Sequence, residues 1–162
     1  MSTITRRSSP NQSARGATVA GQPWIDRAAA AWSDVVWLFG RILIGGIFVQ
    51  SGFQKLMGLD AFAAGLARNG IPGAIAQVLA PVGAAVEFVG GLAIVFGLMT
   101  RYAAVLMILF VIVATLKALQ GAERRPQAVQ FAKNAAIIGG FLYVFATGAG
   151  RVSLDRWWRR VE

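Results

Sequence analysis

Four long apolar runs, separated by short polar stretches, dominate this chain: Val35–Phe53, Ala74–Leu98, Tyr102–Leu119 and Phe131–Ala149. Each is close to the roughly 20 residues an α-helix needs to cross a hydrocarbon core about 30 Å thick. A helix of a soluble bundle turns one face to water and shows polar residues at helical spacing. These runs carry no such stripes. The pattern predicts an all-α fold, an integral membrane four-helix bundle.

The polar stretches predict the connections. Residues 1–23 are rich in Ser, Thr, Gly, Gln and Arg. They have too little apolar surface to fold, which predicts a disordered tail, and they show no apolar core of a secretory signal. Trp24, Trp32 and Trp37 bracket an alanine-rich helical stretch. Tryptophan favours the headgroup level, so this stretch is expected to lie along the interface. GLDAFAAGLARNGIPG (58–73) predicts a short helix on Phe62 and Leu66, stopped by Asn69-Gly70 and Pro72. A tight turn over Met99–Tyr102 joins the second and third spans, and the polar loop QGAERRPQ (120–127) joins the third and fourth. Trp157 and Trp158, set among arginines, form a second interfacial anchor. The expected organisation is a tail over 1–23, a transmembrane domain over 24–156 and an interfacial C-terminal tail over 157–162.

Composition supports the membrane reading. The 162 residues are 56% hydrophobic and 14% charged, with a mean hydropathy of +0.58. Soluble domains carry about 25% charged residues. The chain has no cysteine and no histidine, which excludes disulfides, thiol chemistry, iron–sulfur clusters and the usual zinc sites, and removes the commonest haem ligand. No metal site is expected. The net charge of +9 sits at the ends of the spans, where it suits anionic headgroups rather than nucleic acid. Arg6, Arg7, Arg15, Arg27, Arg101, Arg151, Arg156, Arg159 and Arg160 lie on one face. They outnumber Lys55, Arg68, Lys117, Arg124, Arg125 and Lys133 on the other. By the positive-inside rule both termini are expected in the cytoplasm.

Three spans share a glycine pattern: Gly45-Gly46 with Gly52, Gly90-Gly91 with Gly97, and Gly139-Gly140 with Ala146. Small residues on one helix face let backbones approach closely where lipid supplies no hydrophobic drive. The plain reading is a packing face; the sharper one is a divergent internal duplication.

One carboxylate, Glu87, lies deep in the second run, about 16 Å from its inner end. A charge at that depth costs about 3 kcal/mol on insertion scales, so it should face the bundle and have partners or a proton. Helix rise places Gln50, Thr115 and Tyr143 near the same level, with Arg41 below as a charge partner that must stretch. Such a layer either fixes helix register or forms a proton-accepting or ligand-orienting site. A second cluster gathers toward the outer face: Gln54 and Lys55 with Gln50 and Ser51, then Gln130, Lys133 and Asn134 at the start of the fourth span. Amides and ammoniums at one mouth suit a quinone head group or a small anion, although lysines there also snorkel to the interface.

GRILIGGIFVQSGFQKLMG (40–58), NGIP (69–72), VEFVGGLAIVFGLMTR (86–101), KNAAIIGGFLY (133–143) and GAGRVSLD (148–155) occur in order along the chain. Together they make residues 38–156 resemble the DoxX family of small four-helix bacterial membrane proteins. Positions that match the family's polar signature are Arg41, Gln54, Lys55, Glu87, Arg101, Asn134 and Asp155. The resemblance implies a bacterial inner-membrane protein linked to quinone-dependent oxidoreductase or oxidase systems, or to oxidative stress. Many relatives carry a histidine near the end of the third helix. Here Thr115-Leu116-Lys117 stands instead, which removes direct haem binding and a histidine proton relay from what the resemblance implies.

The expectation is a subunit for quinone- or quinol-linked redox chemistry, at most a non-metal part of an oxidoreductase complex, with no covalently bound cofactor. Glu87 and Arg41 are the expected catalytic pair. Gln50, Gln54, Lys55, Thr115, Lys133, Asn134 and Tyr143 are the expected ligand contacts. Its partners are the lipid bilayer, other subunits of a membrane complex and further copies of itself. The rival readings are an assembly subunit without a ligand site and a small-solute carrier.

Overall fold

A computed structural model describes residues 23–118 and 124–158. Its helices in chain order are α1 (Trp24–Met57), α2 (Leu59–Arg68), α3 (Gly73–Phe96), α4 (Thr100–Ala118), α5 (Arg124–Thr147) and α6 (Leu154–Trp158). Four stretches are long and apolar enough to cross a membrane: Ala31–Met57, Gly73–Phe96, Thr100–Lys117 and Ala128–Thr147. The chain separates into two units, Met1–Ser33 and Asp34–Glu162. Of the first, the described part is helical, with Trp24, Ile25 and Trp32 exposed. The bundle is built from the second.

Its outer surface is apolar. Val36, Phe39, Val78, Val89, Leu109, Val113 and Leu142 are all more than half exposed. A soluble monomer rarely shows such contiguous apolar surface; a bilayer solvates it. Inside, Phe48, Ile94, Ala103, Ala104, Met107, Val111, Phe141 and Val144 form a core drawn from all four spans.

Glycine sets the closest helix contact. A Cβ built on Gly45 falls 2.8 Å from the Gly91 carbonyl oxygen, one on Gly91 falls 2.8 Å from Val49 N, and one on Gly52 falls 2.5 Å from Phe88 N. The backbones of α1 and α3 therefore touch, which any side chain at these positions would prevent. Gly90 turns to α4, where Met107 Sδ occupies the space of its missing Cβ. Gly140 of α5 receives Ile44 of α1 in the same way. Gly46 and Gly139 meet nothing. The repeat thus serves packing at some of its members only.

Turns follow local chemistry. Gly70 (φ 84) ends α2 in the NGIP stretch, and Pro72 precedes the first residue of α3. Gly97 closes α3 in the left-handed conformation, φ 68, with Leu98 N donating back to Ala93 O at 2.8 Å. The turn between α3 and α4 is earlier than the sequence suggests, because α4 already begins at Thr100. Asp155 explains this. Its Oδ1 accepts from Met99 N (2.6 Å) and its Oδ2 from Thr100 N (3.0 Å) and Thr100 Oγ1 (2.9 Å), so a residue distant in sequence caps α4 as a local N-cap would.

Two expectations change. The stretch over 24–37 is not a separate helix, since α1 runs without a break to Met57, and Trp37 falls within the first apolar stretch long enough to span. The 120–127 loop is partly helical, because α5 starts at Arg124. The tail over 1–22 and residues 159–162 lie outside the described residues.

The α1–α3 contact makes a clear test. Gly52→Ala forces Phe88 backbone to move and should destabilise the bundle by about 1–3 kcal/mol. Gly46→Ala, with open space around it, should be neutral or slightly stabilising. Unfolding of the detergent-solubilised protein, followed by circular dichroism, separates the two.

Candidate functional site

The glycine contact fixes which polar groups meet. Lys55 follows Gly52 by one turn on α1, and Glu87 precedes Gly91 by one turn on α3, so each projects from the face that packs on the other helix. Lys55 Nζ forms an ion pair with Glu87 Oε2. The Glu87 side chain is 4% exposed and that of Lys55 30%. The ammonium also lies 5.1 Å from the centre of the Phe62 ring on α2, within cation–π range. Among the described residues only Oε2 of the Glu87 carboxylate is engaged.

A second polar chain stands opposite. Gln130 Nε2 donates to Asn134 Oδ1 (3.1 Å), Asn134 Nδ2 donates to Thr115 Oγ1 (2.7 Å), and Thr115 Oγ1 donates to Val111 O (2.6 Å). These bonds tie α5 to α4 and hold the Asn134 amide in one orientation. Each amide keeps a second N–H for other use.

Both groups border one cavity of about 650 Å³. Ser51, Lys55, Glu87, Gln130, Lys133 and Asn134 line it on the polar side. Leu43, Ile44, Ile47, Phe48, Phe110, Val111 and Ile137 line the rest. Its size falls in the range of about 300–1,000 Å³ typical of small-molecule sites. With Lys55 and Glu87 neutralising each other, Lys133 leaves one positive charge and a surplus of N–H donors. The cavity therefore suits a ligand with an apolar body and a head that accepts hydrogen bonds. No group of His, Cys, Asp and Glu able to hold a metal exists among the described residues.

The DoxX family model matches residues 36–120. The chain belongs to the DoxX family. It is 33% identical over 123 residues to the inner membrane protein YqjF of Escherichia coli K12, an alignment covering 76% of this chain and 92% of that protein. It is also 33% identical over 127 residues to the inner membrane protein YphA of the same organism, covering 75% and 89%. A membrane protein of Mycobacterium tuberculosis is 33% identical as well, over 72% of this chain and 77% of its own length. No solved structure matches. Lys55, Glu87 and Thr115 of this DoxX protein fall within the family match, whereas Gln130, Lys133 and Asn134 lie beyond it.

The structure gathers some of the expected site residues and disperses others. Lys55, Glu87, Lys133 and Asn134 share the cavity, and Thr115 supports it through Asn134. Arg41 does not balance Glu87. It is 2% exposed, and its Nη2 donates to Val152 O while Nη1 occupies the space beside Gly97. Gly97 lies about 15 Å from Glu87 along α3, so the lean of Arg41 toward its own helix N-terminus takes it out of reach. Gln50 is exposed in a separate groove of about 410 Å³ with Ile42, Gly46 and Phe53. Gln54 is exposed and lines neither space. Tyr143 is 61% exposed and stacks on Trp37 at 4.8 Å. The single layer expected around Glu87 is therefore absent: Gln50 and Tyr143 face away from it.

Sequence reasoning missed the Lys55–Glu87 pair and the Phe62 contact. The signal was present in the one-turn spacings of Gly52 to Lys55 and Glu87 to Gly91, which put both charges on packing faces.

A double-mutant cycle measures the pair. Lys55→Met leaves a buried carboxylate without its partner and should destabilise the protein by about 3–5 kcal/mol. Lys55→Met with Glu87→Gln should recover most of that loss. Additive effects in chemical unfolding would show that the two side chains do not interact.

Proposed function

We propose that this DoxX protein is a membrane subunit that binds a quinone or quinol in the cavity bordered by Lys55, Glu87, Lys133 and Asn134 and acts with a partner oxidoreductase. The observation that carries the reading is the cavity itself, apolar along most of its lining and ending in a donor-rich polar group around one buried carboxylate. A quinone ring offers two carbonyl oxygens. Lys55, Lys133 and the spare N–H groups of Gln130 and Asn134 donate to them, and Glu87 holds or releases a proton beside them.

Two electrons and two protons separate quinone from quinol. Without cysteine or histidine, the chain lacks the ligands that hold iron–sulfur clusters and most haems, so the partner protein supplies or takes the electrons. The positive charges at the Gly97 end, Arg101, Arg151 and Arg156, argue for a cytoplasmic location of that end. Lys55, Glu87 and the polar end of the cavity then lie toward the outer side of the membrane.

Glu87→Gln keeps the size of the side chain and removes its proton chemistry. In membranes containing the partner, quinone-linked turnover should fall by about a hundredfold or more, with quinone binding to the purified variant nearly unchanged. Full turnover in the variant, or no quinone binding by the wild type, removes the proposal.

Orientation has its own test, since the chain has no cysteine. In spheroplasts, a membrane-impermeant maleimide should label Asn69→Cys directly and Met99→Cys only after lysis. The reverse order would invert the topology.

A further inference from the structure

The cavity has an unequal shape. Its polar lining is confined to one end, near Lys55, while its apolar lining continues along α1 to Gly40, about 22 Å further by helix rise. A quinone ring seated at the polar end leaves that apolar stretch uncovered.

The stretch is not closed by protein. Leu43 and Ile47 line it and are 56% and 55% exposed, and Ala136 on the α5 side is exposed as well. In a membrane, surface of this kind faces acyl chains. Below the slot the two helices meet again, where Ile44 fills the space at Gly140 and the Phe48 and Phe141 rings lie 5.3 Å apart. The α1–α5 contact is thus tight at those positions and open alongside them. It forms a lateral slot joined to a polar head site.

Resting on the quinone reading above, we propose that the ligand enters sideways from the bilayer through this slot between α1 and α5, and that it carries a long apolar tail which stays along Leu43, Ile47 and Ala136. The substrate class is a lipid-soluble isoprenoid quinone rather than a water-soluble one. Donors at the polar end select the head, and the slot selects the tail. Entry from water at the polar end is not required, so Lys55 and Glu87 can remain paired until a head group reaches them.

The test uses the full chain in phosphatidylcholine nanodiscs and two probes with the same benzoquinone ring, one bearing a long isoprenoid tail and one bearing none. Ala136→Trp and Ile47→Trp fill the slot from exposed positions. Val78→Trp, 65% exposed and away from the cavity, is the control. Each variant is compared with wild type for the same probe, which cancels partition into lipid.

The slot variants should weaken the tailed quinone at least about tenfold, a change of about 1.4 kcal/mol, while the control changes nothing. The tail-less quinone should change less than twofold. If only the tailed probe binds wild type, its loss in both slot variants supports the slot equally. Equal weakening of both probes, or tailed binding untouched by either slot variant, overturns the slot and leaves the quinone reading standing. No binding of either probe to wild type removes both.

Discussion

The meeting of Lys55 with Glu87 depends on two helix backbones touching. Lipid gives helices no hydrophobic reason to associate, so contact must come from packing. Buried glycines at 45, 52 and 91 let α1 and α3 come together with no side chain between them. A side chain turned into that contact would part the backbones. A helix turns about 100° per residue, so a one-residue change of register would carry Lys55 and Glu87 off their shared face. The glycines therefore position the ion pair, although none of them touches it through a side chain.

The two ends of the bundle use charge differently. At the Gly97 end, Arg41 bonds the Val152 carbonyl, and Asp155 commits both oxygens to capping α4 while its own N–H returns to Gly97 O at 3.0 Å. These contacts hold the last segment of the chain against the α3–α4 turn. At the Lys55 end, Glu87 has one oxygen engaged and borders a cavity. One end has its acid tied into structure and the other keeps its acid at a space a ligand can fill. Charged residues within membrane spans face the bundle interior or a cavity and pair there; Glu87 borders such a cavity, whereas Arg41 is taken up by the Val152 carbonyl.

The sequence made the fold readable because its strongest signals are long. Runs near membrane thickness specify four spans, and Asn69-Gly70, Pro72 and Gly97 mark ends that depend on local backbone chemistry. The start of α4 was misplaced because its cap is Asp155, a partner that no local pattern reveals. The site was legible in part. Lys55, Glu87, Lys133 and Asn134 were picked out by polarity within apolar runs, and they do gather. Depth placed Gln50 and Tyr143 at the level of Glu87, and depth leaves rotation about the helix axis undetermined. Gln50 turns toward the outer groove and Tyr143 lies against Trp37. Arg41 shows the opposite case: a pair with Glu87 required it to stretch against its lean along the helix, and it follows the lean instead, bonding the Val152 carbonyl.

The pairing of Lys55 with Glu87 also explains how a polar site can exist in an oily bundle. Either charge alone in that setting would cost several kcal/mol, and an apolar pair would leave nothing to recognise a head group. Together they are neutral yet still offer donors and an acceptor. The ammonium has a second resting contact, the Phe62 ring, so moving it away from the carboxylate does not strand it in hydrocarbon. On the proposal above, a hydrogen-bond acceptor arriving in the cavity would compete with Glu87 for Lys55, and the carboxylate would still have the amides of α5 and Lys133 across the same space. Binding of that kind would be an exchange of partners rather than the exposure of a bare charge, and the lysine stem is long enough to supply the reach.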